Sequence, residues 1–300
     1  MMLIMQFSFA QTSWQITGNA GLDSSHFIGT TDTQSLPVRI NNLEVIRFKR
    51  NGRIDISNSG WSVFIGKDAG LNDDLSLNRN VFIGHEAGMS NTAGGSSNAI
   101  GYRALFYNTT GYANVANGVE ALYKNTTGYY NTANGVNALY SNTTGYNNSA
   151  NGYAALFYNG TGIGNTAQGV SAMKYNVSGN YNTANGYQTL FSNKSGYSNV
   201  AIGVKALYNN EDRSNLVAIG DSALFNNGVG ASQSYQSVHN TAVGSKALYA
   251  NTTGYENTAA DINPCIIIQQ ACTTLQPAAI RFFTIQQAKK TLQQVHIHLI

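Results

Sequence analysis

Residues 114–130 read Asn-Val-Ala-Asn-Gly-Val-Glu-Ala-Leu-Tyr-Lys-Asn-Thr-Thr-Gly-Tyr-Tyr. Residues 131–147 read Asn-Thr-Ala-Asn-Gly-Val-Asn-Ala-Leu-Tyr-Ser-Asn-Thr-Thr-Gly-Tyr-Asn. The second block is the first, stepped by 17, and the step holds in both directions. Glycines stand at Gly84, Gly101, Gly118, Gly135, Gly152, Gly169, Gly186, Gly203 and Gly220. Asparagines keep the same interval at Asn91, Asn108, Asn125, Asn142, Asn159, Asn176, Asn193, Asn210 and Asn227. Leucines follow the glycines by four, at Leu105, Leu122, Leu139, Leu156, Leu190, Leu207 and Leu224, with Met173 in the one gap. A fixed period is the mark of a repeat architecture.

Seventeen residues are too few for a helix pair, which takes about 33 or more. Each unit carries two turn signals, Asn-Thr-Thr-Gly and the glycine column, because glycine and asparagine accept positive φ. The runs between them are short and rich in β-branched and aromatic residues. The expectation is an all-β parallel β-roll or β-solenoid in which each coil holds two strands of about 4–5 residues and two turns. Gly66 through Gly244 mark about eleven 17-residue coils, a rod of roughly 50 Å at the strand spacing. Leucine and alanine columns are expected to fill the interior. Asparagine columns are expected to bond amide to amide along the stack. The aromatic column of Phe106, Tyr123, Tyr140, Phe157, Phe191, Tyr208, Phe225 and Tyr249 is expected to stack.

One column changes character. Before the glycine stand Ile65, Ile83 and Ile100, then Asn117, Asn134, Asn151, Gln168 and Asn185, then Ile202, Ile219 and Val243. Facing inward, these amides would need hydrogen-bond partners. Facing outward, they would be wet. The sequence leaves both open.

The strands Val63-Phe64-Ile65-Gly66, Val81-Phe82-Ile83-Gly84, Val200-Ala201-Ile202-Gly203 and Val217-Ala218-Ile219-Gly220 resemble the S-V-A-I-G motif of YadA-like trimeric autotransporter heads. The resemblance covers about residues 62–259. It implies a left-handed β-roll, a homotrimer and adhesion to a surface ligand such as a matrix protein or polysaccharide. This period is longer than that family's usual coil, and many coils here carry Thr and Asn in place of the hydrophobic pair.

Residues 11–60 differ from the array and are expected to form a small N-terminal β region. Val38 and Ile40 alternate with polar residues, Asn41-Asn42 reads as a turn, and Leu43, Val45 and Phe48 continue a second strand. Asn51-Gly52 is a hairpin signal before Ile54 and Ile56. The block from Phe27 to Asn42 resembles the N-terminal region of secreted, tail-fibre-like Bacteroidota proteins. These usually end in an intramolecular chaperone domain of the endosialidase type, and this sequence has no counterpart of that domain. Residues 1–10 are apolar and end with Ser8 and Ala10 at cleavage-like positions, as a signal-peptide remnant would; an ordinary apolar terminus reads the same way.

Two stretches break the pattern. Gly220 to Gly244 is a step of 24, so seven residues are inserted near 228–239, where a surface loop is expected. The repeat stops after Ala259, and residues 260–300 gain Cys265, Cys272 and many Gln and Ile residues. This tail keeps the 17-residue step all the same: Ile268-Gln269-Gln270-Ala271 recurs as Ile285-Gln286-Gln287-Ala288. Joining the last base of each codon to the first two of the next lets Ile267 through Ala271 encode Asn-Thr-Thr-Gly. The tail therefore reads as the repeat in a shifted frame, disordered or poorly packed as written. A C-terminal helix around 285–294 is the other reading.

Composition narrows function. Of 300 residues, 10% are charged, and the net charge is +3, too small and scattered for a nucleic-acid footprint. No apolar run approaches the roughly 20 residues of a membrane span. Acidic residues form no column, so neither a general acid/base pair nor a calcium ladder is expected. His85 and His239 have no metal partner at the usual spacing. No catalytic, cofactor or metal residue is expected. The expectation is a non-enzymatic adhesin-like head or stalk, extracellular or on a bacterial cell surface. The alternatives are a spacer in a phage-tail-like or secreted fibre and, behind it, an ice- or carbohydrate-binding solenoid with threonine rows such as Thr109, Thr126 and Thr143.

Overall fold

The computed structural model describes residues 32–260. The expected signal remnant at 1–10 and the tail beyond Ala260 lie outside them. The chain divides after Ser57 into two units.

The first unit is a three-stranded antiparallel sheet of β1 (Leu36–Ile40), β2 (Leu43–Phe48) and β3 (Ile54–Ile56) in that order. Asn41 and Asn42 both take positive φ, at 48° and 60°, the conformation a two-residue hairpin turn demands. Ile40 pairs with Leu43, and Ile46 with Ile56. Both turns fall where the asparagines announced them.

The second unit is a β-solenoid. Twelve parallel strands of three residues each stack in one sheet in chain order. They are β4 (Val63–Ile65), β5 (Val81–Ile83), β6 (Asn98–Ile100), β7 (Val115–Asn117), β8 (Thr132–Asn134), β9 (Ser149–Asn151), β10 (Thr166–Gln168), β11 (Thr183–Asn185), β12 (Val200–Ile202), β13 (Val217–Ile219), β14 (Thr241–Val243) and β15 (Thr258–Ala260). Register is residue for residue: Ala116 pairs with Ala133, and Ala133 with Ala150. Ala260 closes β15 opposite Val243, so the ladder runs up to the residue before position 261, where the repeat loses its glycine.

Each coil holds one strand, not the two expected. Ala121-Leu122-Tyr123 lies in turns because Glu120 and Leu122 take φ of 54° and 52°, outside the β region. The backbone bonds between coils persist there. Glu120 N–H donates to Tyr102 O of the coil before at 2.9 Å, and Leu122 N–H to Ala138 O of the coil after at 3.0 Å. Alternating left-handed residues turn the chain while keeping its amides aimed along the stack.

The glycine column has a steric cause. Gly118 sits at φ 142°, and a Cβ there would lie 2.5 Å from Gly135 O in the next coil. The interior is thin and filled by small columns. Ala99, Ala116 and Ala133 at the strand centres, Ala104, Ala121 and Ala138 at the turns, and Leu105, Leu122 and Leu139 are all fully buried. Each buried leucine contributes about 1.5–3 kcal/mol of hydrophobic stabilisation.

Candidate interaction surfaces

The predicted ladder residues separate into interior and surface. Asn108, Asn125, Asn142, Asn159, Asn176, Asn193 and Asn210 are fully buried, as are the leucines and Met173. Asn142 Nδ2 donates to Asn125 Oδ1 at 2.8 Å and to Gly145 O in its own coil at 3.0 Å. This explains the glycine of Asn-Thr-Thr-Gly: a Cβ at Gly128 would run into Asn125 Oδ1. Arg213 takes that glycine's place in its own coil, and there the ladder bonds lengthen. Asn210 to Asn193 and Asn227 to Asn210 are both 3.3 Å, against 2.7 Å for Asn193 to Asn176.

A second buried ladder was not foreseen. Asn114, Asn131, Asn148, Asn165, Asn182 and Asn199, just before the strands, are buried. Asn131 donates its backbone N–H to Asn114 Oδ1 at 3.0 Å and its amide to Gly145 O at 2.8 Å. Its signal was present, since these asparagines keep the same 17-residue step, but period alone does not say which columns point inward.

The column before the glycine points outward. Asn117 is exposed and donates to Asn134 Oδ1 at 3.1 Å, and Asn134 donates to Asn151 at 2.8 Å. Four isoleucines of that column are exposed too, among them Ile65 at 52% and Ile202 at 39%, and Ile83 is half-buried. The outer sheet face is thus zoned along its length. Val63/Ile65 and Val81/Ile83 stand at one end, Thr132/Asn134 through Thr183/Asn185 in the middle, and Val200/Ile202 and Val217/Ile219 at the other. Alternation in a three-residue strand buries the central alanine and turns both flanking residues out.

Aromatic rows cover the turns. Phe106, Tyr123, Tyr140 and Phe157 stack at centroid distances of 4.8–5.4 Å, as do Phe191, Tyr208, Phe225 and Tyr249 at 4.9–5.1 Å. Lys174 interrupts the row with its Nζ 5.9 Å from the Phe157 ring, while Tyr158 stacks on Tyr175 beside it. Tyr112, Tyr129 and Tyr146 form another stack at 4.7–4.9 Å. Burial, and then the phenol of Tyr107, push Tyr123 up to about 12. The threonine row is committed elsewhere: Thr109 and Thr126 hydroxyls donate to carbonyls of the following coil at 3.0 and 3.1 Å.

The insertion forms a loop pinned by one side chain. Arg213, itself buried, donates to Ala231 O at 3.0 Å and Gln233 O at 2.9 Å. Asn227 reaches past the loop to Ser237 O at 2.8 Å, so the ladder is carried across. Ser232, Gln233, Ser234 and Tyr235 stand exposed on the loop.

Coil stacking also gathers Asp68, His85 and Glu86, whose possible ligand atoms lie within 4.8 Å of one another. Sequence spacing hid this group because Asp68 lies a full coil away. Glu86 is taken by Arg103 at 2.5 Å, which, ahead of the weaker pull of His85 and Lys67, holds its carboxyl below the usual range. Glu86 is already paired with Arg103, and the group reads as an ion-pair cluster.

No protein-family model matches this chain, and no curated protein or solved structure is significantly similar to it. Among the described residues, no helix is long and apolar enough to cross a membrane.

Proposed function

We propose that this chain is a non-enzymatic adhesive head or stalk, secreted or displayed on a cell surface, whose solenoids associate as a homotrimer through the outer sheet face. The observation that carries the reading is the exposed isoleucines at both ends of that face, Ile65 and Ile202, each beside a half-buried valine, Val63 and Val200. A water-facing row of this kind marks an interaction surface. The turn side, with exposed Tyr153, Tyr181 and Tyr187, then faces a matrix protein or polysaccharide. Its binding is repetitive and depends on avidity. The left-handed sense of the roll belongs to the same reading.

The test is the mass of the full chain by sedimentation, with Ile202→Asp plus Ile219→Asp as the disrupting variant. A trimer that the variant converts to a folded monomer supports the assembly; a wild-type monomer at tens of micromolar overturns it. Binding to immobilised matrix proteins and polysaccharides tests the adhesive role separately. A second reading, a spacer within a fibre, is favoured by the unbroken asparagine ladder from Asn91 to Asn251, which stiffens the rod without presenting a site. An ice- or carbohydrate-binding role ranks below both, because the Thr109 and Thr126 hydroxyls are already engaged between coils.

A further inference from the structure

The buried asparagine row has a direction. Each Nδ2 donates to the Oδ1 of the coil before it: Asn108 to Asn91 at 2.7 Å, Asn159 to Asn142 at 2.8 Å, Asn251 to Asn227 at 3.0 Å. Each also donates within its own coil, as Asn251 does to Gly254 O at 3.0 Å. Both amide hydrogens are therefore used in place, and the oxygen waits for the coil that follows.

The two ends of the row differ. At the N-terminal end the step before Asn91 is Asp73, whose carboxylate accepts from Asn91 at 2.9 Å and from Asn80 at 3.0 Å. An ionised carboxylate has no hydrogen to donate, so it closes the row. At the C-terminal end Asn251 is fully buried, and its Oδ1 meets no donor. A buried oxygen in that state carries an uncompensated desolvation cost.

We infer that the face of the coil around Asn251 is a docking surface for one further coil of the same repeat, which brings an asparagine amide onto Asn251 Oδ1 from the next step of the chain. A second copy stacked end-on does not fit, because its own row begins with Asp73 and would set acceptor against acceptor. In the shifted frame the bases spanning codons 267 and 268 can encode an asparagine one step of 17 beyond Asn251, at the head of Asn-Thr-Thr-Gly, and that residue would be the donor.

The test uses the full 300-residue chain with residues 261–277 replaced by a copy of residues 118–134, which sets the equivalent of Asn125 at the step after Asn251. A matched version carries Asn125→Leu within the copied coil, of similar size but with no donor. The asparagine graft is expected to melt roughly 3–8 °C above the leucine graft and to slow hydrogen exchange over residues 248–260, where the leucine graft does not. Equal melting and equal exchange in the two grafts overturn the inference. So does an unmodified chain that gains the same protection only at high concentration, as end-to-end oligomers, because the occupant is then a second copy.

Discussion

Asp73 and Asn91 stand one coil apart and share a hydrogen bond of 2.9 Å from amide to carboxylate. The same Asp73 oxygen accepts from Asn80 at 3.0 Å, so one side chain ties the starts of both buried amide rows. Asp73→Ala leaves one N–H of each of these two buried amides without an acceptor, while each keeps its bond to Gly94 O. The expected loss is about 1–3 kcal/mol, read as a lowered urea midpoint. Asp73→Asn keeps one acceptor oxygen and is expected to cost less.

Ladder position sets the cost of losing an amide. Asn142 makes short bonds and accepts one of 2.8 Å from Asn159. Asn142→Ala is expected to destabilise by about 2–4 kcal/mol, since it opens a cavity and removes one ladder bond from each neighbour. Asn210→Ala, where both ladder bonds are 3.3 Å, is expected to cost less. Urea unfolding of the two variants side by side checks the order.

Gly118→Ala places a methyl 2.5 Å from Gly135 O at a φ of 142°. An expected cost of about 2–4 kcal/mol follows from strain and displaced backbone. Thr127→Ala, exposed on the same coil, serves as the neutral control in thermal melts.

Tyr123 titrates at about 12 in the fold, above the roughly 10 of a free phenol. The fold therefore holds the proton more tightly than the unfolded chain. Its contribution is fully present below pH 10 and is lost as the pH rises from 10 to 12. Melting temperature is expected to fall across that window, and less steeply in Tyr123→Phe.

Arg213 holds the inserted loop through two backbone carbonyls. Arg213→Ala is expected to speed proteolytic cleavage within residues 229–236 while leaving the core coils intact, read by mass of the fragments. Unchanged cleavage would mean that the loop keeps its shape without the arginine.

Much of this molecule is legible in its sequence. The interval between glycines set the coil, because only a stacked backbone makes residues 17 apart neighbours, and the leucine and aromatic columns then had to align. Asn41-Asn42 and Asn51-Gly52 marked both hairpins, since few residues accept positive φ. The second strand expected in each coil does not form. Ala-Leu-Tyr looks extended by propensity, yet Leu122 sits at φ 52°, a choice imposed by corner geometry.

What the sequence determined by itself is the period, the class of fold and the columns that must stack, all consequences of local turn chemistry repeated at one step. Only the tertiary structure decided which columns face inward. Asn117 and Asn125 differ little as residues in a repeat, but one lies on the exposed sheet face and the other is sealed in the core. The difference comes from the pleat of a three-residue strand and from a glycine carbonyl three residues on that can take the buried amide. The direction of that amide row, closed by Asp73 and open at Asn251, likewise exists only once the coils are stacked.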